Sequence, residues 1–414
     1  MERLRALDLV RGWGTIGIIF IHSAIYCFGG LDQVDFAHPP LIIAVIAILA
    51  NWGGLFLVVS AIANTRMAYL RIRADDNQHA ARHTLVNWAL SGAVLLALHY
   101  LYNIVLGPTS FDFVTHHHHL ALIPATIRSG HLTMPDAKRY FEGSTFSMLA
   151  WGLMLTAGLL FLLLRRGGIV KSRRNGIILA TAGTILILAG FARPFLFPFC
   201  SQAVAEKRYL LATILSFTID KPYPLLPYLG FAFFGAMIGL LIAAAEPLGK
   251  VMRRMGVIGS IWLALGVTGI IVLPQSIAKA DTFWFAKVLM EIGLFTTVVT
   301  ACLWWEGTSP RSHPLPGPER LSLVRSMGMV SCSVYLLQTP LSETLARLWT
   351  YLFPGWNMAI GTTLLFAAFN VLIWLGIMVI WRRYRFLGSW ERFWAWLFRK
   401  IGRESCRGQV FGQM

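Results

Sequence analysis

Apolar runs of membrane-crossing length recur along this chain from its first residues almost to its last, and they leave few folds open. A hydrocarbon core of ~30 Å takes about 20 apolar residues of helix. Inside it, helices and closed barrels are the structures that satisfy every backbone polar group. Ten such runs stand at 9–29, 41–64, 84–106, 145–164, 176–198, 224–245, 257–276, 282–304, 324–346 and 358–381. Composition agrees, with 56% of 414 residues hydrophobic and 13% charged, against about 25% charged in ordinary soluble domains. The expectation is an all-α polytopic membrane protein of about ten transmembrane helices. It divides into a transmembrane domain over 1–381 and a cytoplasmic amphipathic tail over 382–414. The first run follows Asp8 at once and has no small-residue cleavage site before the second, which predicts a retained helix and not a signal peptide.

A formal net charge of +17 raises the question of nucleic acid, but the placement of the charge answers it. Most of the 36 lysines and arginines fall in alternate connections: the N-terminus, 65–83, 165–174, 246–255, 305–323 and the tail. That asymmetry makes this face cytoplasmic by the positive-inside rule, with both termini inside. The charge is topology, with some attraction to anionic lipid, and no nucleic-acid partner is expected. Within the tail, Trp390, Phe393, Trp394, Leu397, Phe398 and Ile401 follow helical spacing, with Arg392, Arg399, Lys400 and Arg403 off that face or at its end. This is the pattern of an interfacial helix anchored on the inner leaflet.

Five cysteines make no disulfide framework; Cys27 and Cys200 are the two near the oxidising face. Two external connections are long, 107–143 with His116–His119 and 199–223 with Glu206, Lys207, Arg208, Asp220 and Lys221. Long connections in a compact protein are commonly functional, and two on one face suggest a lid or vestibule. The histidine run is either a solvated loop or a metal-binding tract. No metal is expected, since HExxH, paired CxxC and P-loop patterns are all missing from the sequence.

The costly residues lie inside the spans. Arg11 and His22 are separated by ten nearly pure hydrocarbon positions, so on a helix they share a face roughly 16 Å apart. The arginine falls near the membrane surface and the histidine near mid-bilayer, where an ionisable group marks function by default. Asp8, three positions before Arg11, is placed to pair with it and orient it. A guanidinium at the inner mouth suits a phosphate or carboxylate, and a histidine at mid-depth suits proton transfer. The second group, Trp52-Gly53-Gly54 through Ser60, Asn64 and Arg66, offers close helix approach, a cross-helix hydroxyl and a surface cation. The third, Ser331-Cys332-Ser333-Val334-Tyr335-Leu336-Leu337-Gln338, is polar enough to face the bundle interior, lining a cavity or joining helices. Lys287 and Glu291, four apart in one span, make a buried ion pair.

These residues resemble a transmembrane acyltransferase. Leu7-Asp8-Leu9-Val10-Arg11-Gly12 followed by His22 resembles the opening of the acyltransferase 3 family, with its Arg-x10-His hallmark. Phe56-Leu57-Val58-Val59-Ser60-Ala61 resembles that family's Phe-Phe-x-x-Ser-Gly stretch, and Ser331 to Pro340 its Ser-Tyr-Ser-x-Tyr-Leu-x-His-x-Pro segment. The Leu-Asp-x-x-Arg-Gly start also resembles heparan-α-glucosaminide N-acetyltransferases and related bacterial multipass families. Two departures stand out: Ala61 replaces a glycine, and Gln338 replaces a histidine and can only hydrogen-bond.

The resemblance implies transfer of an acyl group, acetyl above all, from cytoplasmic acetyl-CoA or another acyl-CoA. The acceptor would be a hydroxyl or amine on a glycan, glycolipid or other small molecule at the far face. It implies His22 as general base or acyl carrier, with Asp8 orienting Arg11. Arg11 and Arg66 would hold donor phosphates, and Ser60, Tyr335 and Gln338 would position thioester or acceptor. It also implies a multi-pass protein of the bacterial cytoplasmic (inner) membrane, and leaves oligomeric state open. The alternative from another class is a transporter or flippase without covalent chemistry, suggested by the Gly- and Pro-interrupted spans and the Lys287–Glu291 pair.

Overall fold

The computed structural model describes residues 4–35, 38–50, 52–74, 78–108, 110–112, 117–165, 167–273, 280–308 and 321–401. Sixteen α-helices are named in chain order. The first eight are α1 Arg5–Tyr26, α2 Leu41–Leu49, α3 Gly53–Ala74, α4 Gln78–Tyr100, α5 Leu122–Ser129, α6 Thr145–Leu164, α7 Ser172–Ala189 and α8 Arg193–Ala205. The others are α9 Tyr209–Ile219, α10 Leu225–Ala243, α11 Leu248–Val272, α12 Ala280–Thr308, α13 Leu321–Met329, α14 Ser331–Leu352, α15 Ile360–Arg383 and α16 Trp390–Ile401. A small antiparallel ribbon in the connection after α4 pairs Ser110–Asp112 with His117–His119. The protein is an all-α polytopic membrane protein: among the described residues, nine helical stretches are long and apolar enough to cross a bilayer.

The expected ninth span, 324–346, takes a different form. Val330, at φ −117° and ψ 29°, divides it into α13 and α14. Arg325, Gln338 and Glu343 lower its hydropathy, yet it packs inside the bundle against α1 and α15. The second span is likewise broken, between α2 and α3. The region 199–223, expected as a loop, is mostly helical: α8 and α9 form a hairpin. The apolar run Tyr209–Ile219 drives that helix, and the buried Arg193 guanidinium ties back its end by donating to the Ile219 carbonyl at 3.0 Å.

Helix α10 is the hub. Its Tyr228, Phe231, Phe234, Ile238 and Leu240 are fully buried, and it packs on α3 and α7. Gly235 and Gly239 let its backbone lie directly on α3, where a Cβ would come within 2.5 Å of the Val58 and Ile62 carbonyl oxygens. Outward positions such as Leu162, Ile177, Ile185 and Leu365 remain exposed large hydrophobics. That inversion of the soluble pattern is the surface a hydrocarbon solvent accepts. Cys27 and Cys200 are both buried free thiols, with Cys200 beside Ser216 at 3.4 Å.

Helix α1 supplies the first-span motif, and its partner is the broken pair α13–α14. Asp8 faces Arg325, Gly12 lies on Gly328, His22 meets Gln338 and Ser23 meets Ser342, so the two run parallel. The crossing is backbone on backbone: a Cβ on Gly12 would lie 1.9 Å from the Val324 carbonyl oxygen, and one on Gly328 1.9 Å from that of Asp8. Small residues at such crossings allow close approach within membranes. The glycine of the Asp-x-x-Arg-Gly motif is thus required by packing.

The tail helix α16 docks on this unit. At the break, α14 begins with amide groups that have no helical partner. The Glu391 carboxylate accepts from the amides of Cys332 (2.8 Å) and Ser333 (3.2 Å) and from the Ser333 hydroxyl (2.5 Å). Burial holds the Glu391 carboxyl above its ordinary range, even against these donors. Trp390 and Trp394 pack with Leu98, Tyr102, Phe146 and Leu336. Phe386, 4% exposed, belongs to the cluster of Ile19, Met327 and Trp374.

Candidate functional site

Continuous helix from Arg5 to Tyr26 puts Arg11 and His22 about three turns apart on one rod, as their spacing demands. Both side chains are half-buried. His22 Nδ1 lies 2.6 Å from Gln338 Nε2 on α14. Its ring stands edge-on to Tyr26 (5.1 Å between centroids) and to Tyr335 (6.1 Å). The Tyr335 hydroxyl meets Thr145 Oγ1 at 3.0 Å, at the first turn of α6. Its ring stacks on Tyr102 at 4.8 Å and meets Phe146 at 5.2 Å. Tyr102 sits in a π-helical turn, Leu101–Leu106, a local form common at functional sites.

Polar groups ring this centre. Beyond it, Asn370 donates to the hydroxyls of Ser23 (2.7 Å) and Ser342 (2.5 Å). At the Tyr26 end, Arg128 pairs with Glu343 and donates to the Tyr26 carbonyl at 3.0 Å. In the connection between α5 and α6, buried Arg139 pairs with Glu142 at 3.1 Å and donates to the carbonyls of Asn103 and Pro108. Gln338 Oε1, Thr339 Oγ1 and Asn370 Oδ1 are buried with no hydrogen-bond partner in the structure. Native proteins leave few such atoms unmet, and their gathering around one histidine is what a polar ligand or ordered water would satisfy.

Of the residues singled out from sequence, His22, Tyr335 and Gln338 come together. Asp8, buried at 2% exposure, has its carboxylate 3.7 Å from Arg325 Nε, across the helix crossing. That partner was invisible in sequence because it lies on a helix more than 300 residues away. Arg11 and Arg66 are each half-buried, on α1 and α3. Those helices touch where Gly14 meets Leu55 and Phe56. Ser60 stands apart from the histidine centre. It accepts from Asn64 at 3.2 Å and borders a cavity of about 10 Å³ with Trp88, Gly152 and Thr156, room for roughly one water.

His116 and Asn51 lie outside the described residues. His119, at the end of the ribbon, has Nδ1 3.6 Å from Asp136, a loop contact. Among the described residues no cluster of three metal-ligating side chains occurs. His99 is buried, with Nδ1 2.8 Å from Ser144 and its ring between Tyr100 and Phe217. Lys287 and Glu291 form their expected pair at 4.0 Å, with Tyr228 donating to Glu291 at 3.0 Å. Thr145, Tyr102 and the Asn370–Ser23–Ser342 set escaped sequence reading. The Ser144–Ser147 capping box preceding Thr145 was a usable signal for where α6 begins; the single polar residues inside apolar helices carried none.

A scan against protein-family models and a search of curated proteins each give no match to this chain.

Proposed function

We propose that the protein is a membrane-embedded acyltransferase. It moves an acyl group, acetyl above all, from cytoplasmic acyl-CoA to a hydroxyl or amine of a glycan, glycolipid or other small acceptor reached from the opposite face. The observation that carries this reading is the hydrogen-bonded His22–Gln338 pair, set among Tyr335, Tyr26 and Thr145 on the helix that also bears Arg11. The motif resemblance supports it. The net positive inner face suits a protein of a bacterial cytoplasmic membrane.

A base must present an unprotonated ring nitrogen, and Gln338 governs which one. If its amide donates to Nδ1, the proton sits on Nε2 and the base is blocked. Turned over, its oxygen accepts from Nδ1–H and leaves Nε2 free. In that state Nε2 takes the proton as the acceptor oxygen or nitrogen attacks the thioester carbon. The C–S bond then breaks, and the imidazolium returns the proton to the departing thiolate, so the reaction is proton-neutral. Gln338 here fills the role a third group plays in a hydrolytic triad: it fixes tautomer and ring orientation. Arg11 and Arg66, half-buried on touching helices, are the proposed holders of the donor's phosphates at the inner mouth. Asp8 acts by holding the α1–α13 crossing through Arg325. Ser60, beside a one-water cavity, reaches a thioester only if α3, α4 and α6 part.

Titration of purified protein with acetyl-CoA tests the reading: stabilisation against heat, then CoA release on adding a hydroxylated acceptor. The competing reading, a transporter or flippase, draws on the broken spans and the Lys287–Glu291 pair. It predicts substrate flux in vesicles with no CoA release.

A further inference from the structure

The second span carries a feature that acyl transfer by itself does not use. Helix α2, Leu41–Leu49, is entirely apolar, and not one of its nine residues is buried. Leu41 is 81% exposed and Val45 44%. Pro39 and Pro40 precede it, and Gly53 and Gly54 follow. A side chain from across the bundle ties it down: the buried Lys287 ammonium donates to the Ala47 carbonyl at 2.6 Å. That carbonyl belongs to the last turn of α2, where helical partners run out and a cation is favoured. Glu291 stands 4.0 Å behind the ammonium, and its Oε1 has no hydrogen-bond partner.

The start of α3 lies against the site. Tyr223 accepts from the Gly53 amide at 3.3 Å. A Cβ on Gly53 would meet both the Tyr223 ring and Thr145 Oγ1 within 3.0 Å. Thr145 is the partner of Tyr335, and Tyr335 borders His22. We propose that α2 is a lateral gate in the hydrocarbon, held shut by Lys287. Through it a membrane-borne acceptor, a polar head on a hydrocarbon anchor, reaches the Tyr335–His22 centre. The acceptor part rests on the acyltransferase reading; the gate itself does not. A helix with no buried residue loses little packing when it swings within lipid, whereas a fully water-soluble ligand would have to cross hydrocarbon to use this door.

The gate is tested in proteoliposomes by alkylation of a Thr145→Cys probe, read by mass spectrometry of the labelled peptide. A second pair, Ala47→Cys with Lys287→Cys, locks α2 when oxidised. A bilayer-partitioned alkyl maleimide should label the probe about tenfold more slowly in the oxidised form, since rate follows the open fraction, and reduction should restore it. Replacing the latch alone, Lys287→Met, should speed labelling about tenfold. Labelling that ignores both the lock and Lys287→Met, or a charged water-soluble maleimide reacting as fast as the lipid-soluble one, would overturn the gate. An absence of CoA release with the labelling pattern intact would fault the acyltransferase reading and leave the gate standing.

Discussion

Replacing Gly12 by Ala perturbs the contact on which the site's geometry depends. The added methyl would fall 1.9 Å from the Val324 carbonyl oxygen, 2.7 Å from its carbon and 2.9 Å from a methyl of its side chain. A backbone carbonyl cannot rotate away as a flexible side chain can, so α13 must retreat by about 1 Å to restore contact distance. Overpacking of this kind costs about 1–3 kcal/mol. Gly328→Ala, striking the Asp8 carbonyl from the other side at the same distance, should cost as much. The double variant should cost less than the sum, because one retreat serves both. Gly17 is the internal control: on the same helix, a Cβ there meets nothing within 4 Å. Gly17→Ala should be neutral or stabilising by up to about 1 kcal/mol. Unfolding midpoints in SDS titrations read these differences. The retreat also reaches the site, since α14 carries Gln338 and the His22 bond is 2.6 Å long. Misplacement of about 1 Å costs on the order of 100-fold in rate, from a substitution about 15 Å from His22. Gly12→Ala as stable as Gly17→Ala would refute the crossing and the alignment drawn from it.

Gln338→Leu removes the partner of His22 and should lower kcat for acyl transfer by about 10- to 100-fold, equivalent to the 1–3 kcal/mol of a lost buried hydrogen bond. Steady-state kinetics check it, and an effect confined to KM would contradict the tautomer role. Glu391 gives a pH dependence. Its carboxyl is held above the ordinary range by burial, so the docked state keeps its proton to higher pH than the free tail does. Docking of α16 is therefore strongest below the ordinary carboxylate range, weakens as pH rises through the raised value, and is flat above it. Tryptic cleavage in the turn at Arg382–Arg385, followed against pH, should show that slope, and Glu391→Gln should abolish it while keeping the cap; an unchanged slope would contradict the assignment.

Fold class was legible because the bilayer imposes a length on every span, and hydropathy alone marks it. The same signal marked 324–346 as a span, and the segment does pack within the bundle although interior-facing Gln338 and Glu343 lower its hydropathy. It passed over the breaks between α2 and α3 and at Val330, because breaks change backbone direction and not hydropathy. Within the site, the pairing of Arg11 with His22 on one rod followed from helical arithmetic. Gln338 could be recognised as a partner through its motif, and its contact with His22 bears on the missing histidine: an amide at 2.6 Å still orients the ring. Asp8 shows what spacing leaves out: the glycine crossing brings Arg325 to it from a helix more than 300 residues away. Tail periodicity predicted a lipid-lying helix, and the structure adds a specific dock through Glu391, which only tertiary contact reveals.

In the proposed reaction His22 takes part in moving an acyl group. Labelled acetyl-CoA supplied to inside-out membrane vesicles, with transfer into extractable glycan and lipid counted for parent and His22→Ala protein at equal levels of folded protein, tests it most directly. Label should appear in an acceptor fraction from the parent and be lost in His22→Ala, with membrane insertion and unfolding midpoint within about 1 kcal/mol of the parent. Equal transfer by the two proteins would contradict it.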